Sequence, residues 1–179
     1  MKNVFCVGIV IMMIAVTTSC KTAKIEKKIP APLTVEDVAS MPKEDLSSKE
    51  MEALFKAITK EYLAKNIYNQ ITTKFSTEEP FLSAYHEEDK ILELLSSLLS
   101  KYQIPLPGDE TLADSQPYLN KIRYRSDGCE LGSSLEMEKY ELYGDLLKNV
   151  DNQDIQKVFF SILNSSVERN LKLFKDCAE

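Results

Sequence analysis

Histidine is nearly absent: the chain carries one, His86, in 179 residues. His86 falls on the polar side of its predicted helix, so no imidazole serves a Ser-His or Cys-His dyad. Glycine is scarce, five in all, and no glycine-rich phosphate loop occurs. There is no excess of positive charge: the net charge is -6 and the pI near 5.0, which argues against nucleic acid as a partner. Past the N-terminus, no apolar run is long enough to cross a bilayer. No alternating apolar pattern supports a sheet. Tryptophan is missing, but the remaining composition is that of an ordinary globular domain with appendages.

The N-terminus is the clearest address on the chain. Lys2 precedes an apolar run from Val4 to Val16, and Thr17, Thr18 and Ser19 lead into Cys20. Charge, length and cleavage-site chemistry are those of a secretory signal peptide over residues 1–19. Ending on Ser-Cys, it resembles a bacterial lipoprotein signal, which implies that Cys20 is lipidated and becomes the new N-terminus. Thr17 departs from the aliphatic residue usual at that position, and ordinary secretion is the alternative. Loss of the signal removes Lys2 and takes the net charge from -6 to about -7. Residues 20–46 then read as a flexible tether. Lys21, Lys24, Lys27 and Lys28 precede Pro30, Pro32 and Pro42, and suit an anionic membrane surface or simply a soluble linker. Thr34 and Asp37 form a capping pair for a short helix.

From residue 47 to 179 the periodicity is helical. Ser47 and Glu50 form a capping box, opening a helix to about Phe75 whose buried face carries Leu54, Ala57, Ile58, Ala64, Tyr68, Ile71 and Phe75. Ser76, Glu79 and Pro80 predict the start of a second helix, ending at Tyr102 before Pro105, Pro107 and Gly108. Its face carries Ala84, Ile91, Leu95, Leu98 and Leu99. A long connection follows, with a short helix expected after Pro117; its Tyr118, Arg123, Tyr124 and Arg125 read as a contact patch or as a loop packed on the domain. A third helix is expected from about Cys129 to Asn149, presenting Tyr140, Tyr143, Leu146 and Leu147. After a turn at residues 151–153, a fourth runs to Cys177 through Ile155, Phe159, Ile162, Ser166, Asn170 and Leu173. The expected fold is all-α: an antiparallel four-helix bundle of two hairpins joined by a long connection.

Of four cysteines, Cys6 leaves with the signal and Cys20 is assigned to the lipid. Cys129 and Cys177 lie roughly 33 and 39 Å from the 151–153 turn along their helices, at 1.5 Å per residue. Antiparallel packing brings them to one end of the hairpin, and export permits oxidation. A Cys129–Cys177 disulfide is therefore expected, closing a loop of about fifty residues and stabilising by about 3–4 kcal/mol in the chain-entropy model. Two buried thiols are the alternative.

Three glutamates sit where leucines are expected. Glu61, Glu88 and Glu136 each fall on the apolar stripe of a different helix, and a buried carboxylate is costly unless paired, protonated or bound to a cation. The acidic run Glu87-Glu88-Asp89 otherwise reads as a solvated face.

The segment Glu61-Tyr62-Leu63-Ala64-Lys65-Asn66-Ile67-Tyr68 resembles the Glu-x-x-Ala-x-x-x-Tyr segment of an uncharacterised bacterial ferritin-like family with many exported members. The likeness continues at Pro80-Phe81 and at Leu98-Leu99-Ser100-Lys101-Tyr102-Gln103-Ile104, close to the family's Leu-Leu-x-Lys-Tyr-Gly-Ile. It resumes at Cys129-x-x-Gly132, Glu136, Asp154-Ile155 and Asn170 to Phe174, spanning nearly all of the chain after residue 47. The resemblance implies a ferritin-like bundle, whose metal ligands are a Glu on the first and third helices and Glu-x-x-His on the other two. Glu61, Glu136 and Glu88 match carboxylate positions. Ile91 and Asn170 stand at the histidine positions, and Ser166 or Val167 at the last glutamate.

Such an oxygen-only set suits Mg²⁺, Mn²⁺ or Ca²⁺ better than a di-iron centre. Lys139, one turn after Glu136, offers a different solution. Its ammonium can replace the metal's charge within a core network of Lys139, Asn170, Tyr68 and Tyr143 around the three glutamates. The expectation is a membrane-anchored envelope lipoprotein, non-catalytic, with a binding or structural role and no cofactor, contacting the membrane through its N-terminal lipid. The alternative is an envelope protein binding a divalent metal (Fe, Mn or Mg) with residual oxidase activity.

Overall fold

The computed structural model describes residues 31–76 and 79–178. The signal segment, Cys20 and the basic half of the tether lie outside the described residues. Every regular element among the described residues is helical. In chain order these are α1 (Val35–Ser40), α2 (Ser48–Phe75), α3 (Phe81–Lys101), α4 (Leu112–Leu119), α5 (Arg125–Leu147), α6 (Gln153–Ile162) and α7 (Glu168–Ala178). A π-helical turn, Leu163–Val167, joins α6 to α7 in one continuous rod. α2 pairs with α3 and α5 with α7, and the two pairs pack through α2 on α5 and α3 on α6. No helix among the described residues is long and apolar enough to cross a membrane.

The helix ends follow local chemistry. Ser47 Oγ accepts from the Glu50 amide and the Glu50 carboxylate accepts from the Ser47 amide at 2.9 Å, closing the capping box of α2. The same carboxylate reaches the Asp151 and Asn152 amides at 3.1 and 2.7 Å, so one side chain ties α2 to the start of α6. α3 ends in a Schellman turn: the Ile104 amide donates to Leu99 O and the Gln103 amide to Ser100 O, both at 3.0 Å. Gln103 takes the left-handed position of that turn, with φ 60°.

Several boundaries differ from the sequence reading. α3 begins at Phe81, not at Ser76, because Ser76 adopts a left-handed conformation (φ 47°) and terminates α2. α4 surrounds Pro117 rather than following it. α5 begins at Arg125, four residues early, because the Asp127 carboxylate accepts from the Arg123 and Tyr124 amides at 2.7 and 2.9 Å. The long connection is pinned to α2 by Asn66 to Asp109 at 2.8 Å, Gln70 to Ser115 at 2.7 Å and Lys74 to the Ile122 carbonyl at 2.6 Å. Tyr124 nevertheless remains exposed.

The described end of the tether is docked rather than free. Thr34 and Asp37 cap α1 reciprocally, Val38 is fully buried against α3, and the Leu33 amide donates to Ser161 Oγ at 2.9 Å. Lys101 anchors the strap from below by donating to the Pro42 carbonyl at 3.2 Å while paired with Asp154. Leu33, Val38 and Leu46 are the apolar anchors that distinguish this stretch from a linker.

Cys129 and Cys177 are joined in a disulfide with Cα atoms 5.6 Å apart, tying the start of α5 to the end of α7. Beside it, Gly132 lets α5 approach α7 closely: a Cβ there would lie 2.4 Å from the buried Phe174 ring. The apolar interior falls into two clusters. One holds Leu54, Ile58, Leu95, Leu98, Tyr143 and Phe159; the other holds Ala64, Ile67, Tyr68, Ile71, Phe81 and Phe174. The sequence positions between them (61 on α2, 88 on α3, 136 and 139 on α5, 170 on α7) form a polar layer at mid-height of the bundle.

Candidate functional site

That layer is completely enclosed. Glu61, Glu88, Glu136 and Lys139 are fully buried, and Asn170 is 1 % exposed. α2, α3 and α5 each present a glutamate inward from a face that is otherwise apolar, and Lys139 follows Glu136 by one helical turn. The Lys139 ammonium lies 2.7 Å from Glu61 Oε2, 2.7 Å from Glu88 Oε1 and 3.6 Å from Glu136 Oε2. It donates to both oxygens of Glu88, the second at 2.8 Å. Glu61 Oε2 is held to the ammonium as a buried ion pair.

Two tyrosines complete the layer. Tyr143 Oη donates to Glu61 Oε1 and Tyr68 Oη to Glu136 Oε1, each at 2.6 Å. Tyr68 stacks on Phe174 with ring centroids 5.1 Å apart, and Tyr143 meets Phe159 edge-on at 5.2 Å, so both hydroxyls are aimed by apolar packing. Asn170, at the expected histidine position on α7, stands near Glu136. Its amide nitrogen and oxygen nonetheless find no hydrogen-bond partner among the described residues, and neither does Glu136 Oε2. Ile91 is buried beside the layer.

Three acids and one base cannot all be ionised cheaply in a dry core. Burial pushes the Glu88 carboxyl up, and although Lys139 opposes this, Glu61 and Glu136 carry it well above the usual range. Burial also raises Glu136, against the opposing pull of Lys139 and the Tyr68 hydrogen bond. For Glu61 burial is outweighed by Lys139, Glu88 and Tyr143, and its pKa falls. Glu61 and Glu88 converge on the same ammonium, and the charge of Glu61 disfavours ionisation of Glu88. Burial disfavours the charged lysine, but Glu136, Glu61 and Glu88 together hold it well above its usual value. Lys139 is therefore held as an ammonium, while burial favours the protonated forms of Glu88 and Glu136. Burial, then the neighbouring carboxylates, holds both tyrosine hydroxyls protonated.

The ammonium occupies the point on which the carboxylates converge. A divalent ion ligated by these carboxylates would take their oxygens at about 2.0–2.6 Å and would collide with it. Among the described residues, no group of three or more His, Cys, Asp or Glu side chains is arranged to hold a metal ion. As arranged, the residues do not fit a divalent metal.

Other placements differ from the sequence reading. Glu87 is buried, not solvated: the Arg169 guanidinium lies 2.7 Å from its carboxylate and Lys90 at 3.5 Å, bridging α3 to α7. Asp89 pairs with Lys65 of α2. Sequence reasoning missed these cross-helix pairs, whose partners are far apart in the chain. Tyr140 and Leu173 are exposed, and Val167 and Phe174 take inward positions on the fourth rod. The π turn causes this last change. It inserts one residue, so the stripe passes from Ile162 to Val167, Asn170 and Phe174, and Leu173 falls outside it. His86 is exposed, as the periodicity indicated.

No family model matches the chain. Over 143 residues it is 24% identical to the uncharacterized protein MJ0754 of Methanocaldococcus jannaschii, covering 74% of this chain and 77% of that protein. The crystal structure of the hypothetical protein MJ0754 from Methanococcus jannaschii DSM 2661 superimposes with a TM-score of 0.71 at 20% identity, over 78% of this chain and 85% of that one. This likeness concerns the fold: the chain shares its all-helical architecture with an archaeal protein described as uncharacterized.

Proposed function

We propose that this chain is an exported bacterial lipoprotein, anchored at Cys20, whose ferritin-like bundle performs no redox chemistry and serves the cell envelope by binding or structure. The observation that carries the reading is Lys139, whose ammonium stands among Glu61, Glu88 and Glu136 where a ferritin-like protein would hold metal. The bundle order supports the ferritin-like part: two helical pairs, a long connection over α2, and one inward glutamate on each of α2, α3 and α5. The charge of the N-terminal segment and the Ser19-Cys20 junction support export and lipidation. A buried ammonium held by carboxylates offers no open coordination position and no redox couple, and a fully enclosed layer offers no path for a substrate.

Metal analysis of the purified protein, with a Glu61→Ala/Glu88→Ala control, tests the non-catalytic part. The expected result is no stoichiometric metal in either protein. Stoichiometric iron or manganese that disappears in the double variant would refute it and favour an envelope metalloprotein. Labelled fatty acid should enter the wild-type chain and not Cys20→Ser; equal labelling of both would refute the anchor.

A further inference from the structure

We propose that the folded domain docks on an anionic phospholipid surface through one end of the bundle, where Lys121, Arg123 and Arg125 flank the exposed Tyr124. The proposal rests on the membrane-anchored reading above and deepens it, since it assigns the surface that faces the bilayer. That end is formed by the close of α2, the start of α3, the start of α5 and the close of α7. Lys74 donates to the Ile122 carbonyl at 2.6 Å, Arg125 to the Glu79 carbonyl at 2.8 Å, and Cys129 is joined to Cys177. Tyr118, Tyr124 and Leu131 border a hollow there of about 560 Å³. Tyr124 is 70 % exposed, the most exposed large apolar side chain among the described residues. A ring with an apolar body and a polar tip suits the headgroup boundary of a bilayer.

Charge selects this end over the other. Lys121, Arg123 and Arg125 make no ion pair among the described residues, whereas Lys60, Lys65, Lys101 and Arg169 are each paired. Asp127 is taken up by the Arg123 and Tyr124 amides; Glu130 also lines the hollow, and Glu79 adjoins Arg125. The opposite end has the reverse balance: Glu44, Asp45, Glu50 and Asp151 outnumber Lys49 and Lys148 there. In a chain of net charge -6, an anionic surface repels that end and attracts this one. The strap points the same way. It passes Lys101 at Pro42 and Val38, meets Ser161 at Leu33, and by Pro32 borders Glu87 and Arg169. Glu87 lies six residues, or roughly 9 Å, from the start of α3 at Phe81. The chain from Cys20 to Ala31 reaches at most about 40 Å, so the anchor and the Tyr124 end can share one membrane plane.

The probe is a vesicle of phosphatidylglycerol and phosphatidylcholine, with phosphatidylcholine alone as reference. It is sedimented with the mature chain from residue 20 onward as Cys20→Ser, so that no fatty acid contributes. This parent should bind the anionic vesicles and not the reference. At about fivefold per cation near an anionic surface, Lys121→Gln/Arg123→Gln should weaken binding about 25-fold. Both side chains are exposed in the fold. Tyr124→Ser should weaken binding as well. Lys49→Gln/Lys148→Gln removes the same charge from the opposite end and should weaken it by less than about threefold. A parent that does not bind the anionic vesicles, or equal losses in the two charge pairs, would overturn the proposal. So would full binding by Lys121→Gln/Arg123→Gln or by Tyr124→Ser, which would leave the lysines of residues 21–28 as the membrane contact. Fatty-acid labelling decides the anchor separately. A chain that is not acylated but binds through Lys121 and Arg123 refutes the anchor alone. An acylated chain whose unlipidated form shows no such binding refutes this proposal alone.

Discussion

Lys139→Met keeps the apolar stem of the side chain and removes its charge, so it isolates the electrostatic role of the ammonium. Without it, the layer must bind one more proton to keep the same net charge. A glutamate in the unfolded chain titrates near 4.5. Holding one extra proton at pH 7 therefore costs about 3.4 kcal/mol, from 2.5 pH units at about 1.36 kcal/mol each. At pH 5 the same proton costs only about 0.7 kcal/mol. The loss at neutral pH falls within the range of about 3–5 kcal/mol for breaking one partner out of a buried ion pair. Urea unfolding of wild type and Lys139→Met at the two pH values reads both numbers from midpoints and slopes. A loss under about 1 kcal/mol at pH 7, or an equal loss at both pH values, would show that the ammonium is not the counter-charge of the layer.

Wild-type stability should itself lose a contribution as the pH rises above the unfolded glutamate value of 4.5. Glu88 and Glu136 have raised folded pKa values, so their contribution is complete below the unfolded value of 4.5 and is lost as pH climbs through the folded ones. Glu61, Glu50 and Asp109 have lowered values, so their contribution is lost in acid. A urea midpoint that climbs with pH throughout the range above the unfolded glutamate value would contradict this assignment. Gln103→Gly should stabilise by about 0.5–1 kcal/mol, because Gln103 occupies the left-handed position of the Schellman turn at φ 60°; a lowered Tm would count against it. Gly132→Ala should destabilise by about 1–3 kcal/mol, because its Cβ meets a Phe174 ring already held by Tyr68 and Phe81. An unchanged Tm in that variant would mean that α5 and α7 are not this close.

The inward glutamates were legible because helical periodicity fixes which side chains share a face, and Glu61, Glu88 and Glu136 interrupt faces that are otherwise apolar. Lys139 was legible as a partner by its spacing from Glu136. The bonding pattern was not: nothing local assigns Tyr143 to Glu61 or Tyr68 to Glu136, because each pair is made across helices far apart in the chain. The fourth rod misled the periodic reading because a π turn adds a residue to one turn, and residues Leu163–Val167 carry no proline or glycine to announce it. The strap misled it for a different reason. Its lysines and prolines look like a linker, whereas Leu33, Val38 and Leu46 are too widely spaced to register as a helical stripe, yet they suffice to seat it on α3.

The central claim is that Lys139 is a charged ammonium held among three carboxyl groups inside the core. Heteronuclear NMR of the lysine side chains measures this most directly, by following each Nζ signal as pH is raised. The account predicts one ammonium whose protons exchange slowly and which stays charged after the exposed lysines have lost their protons, and which vanishes in Lys139→Met. A Lys139 that titrates with the exposed lysines, or is already neutral at pH 7, would contradict it.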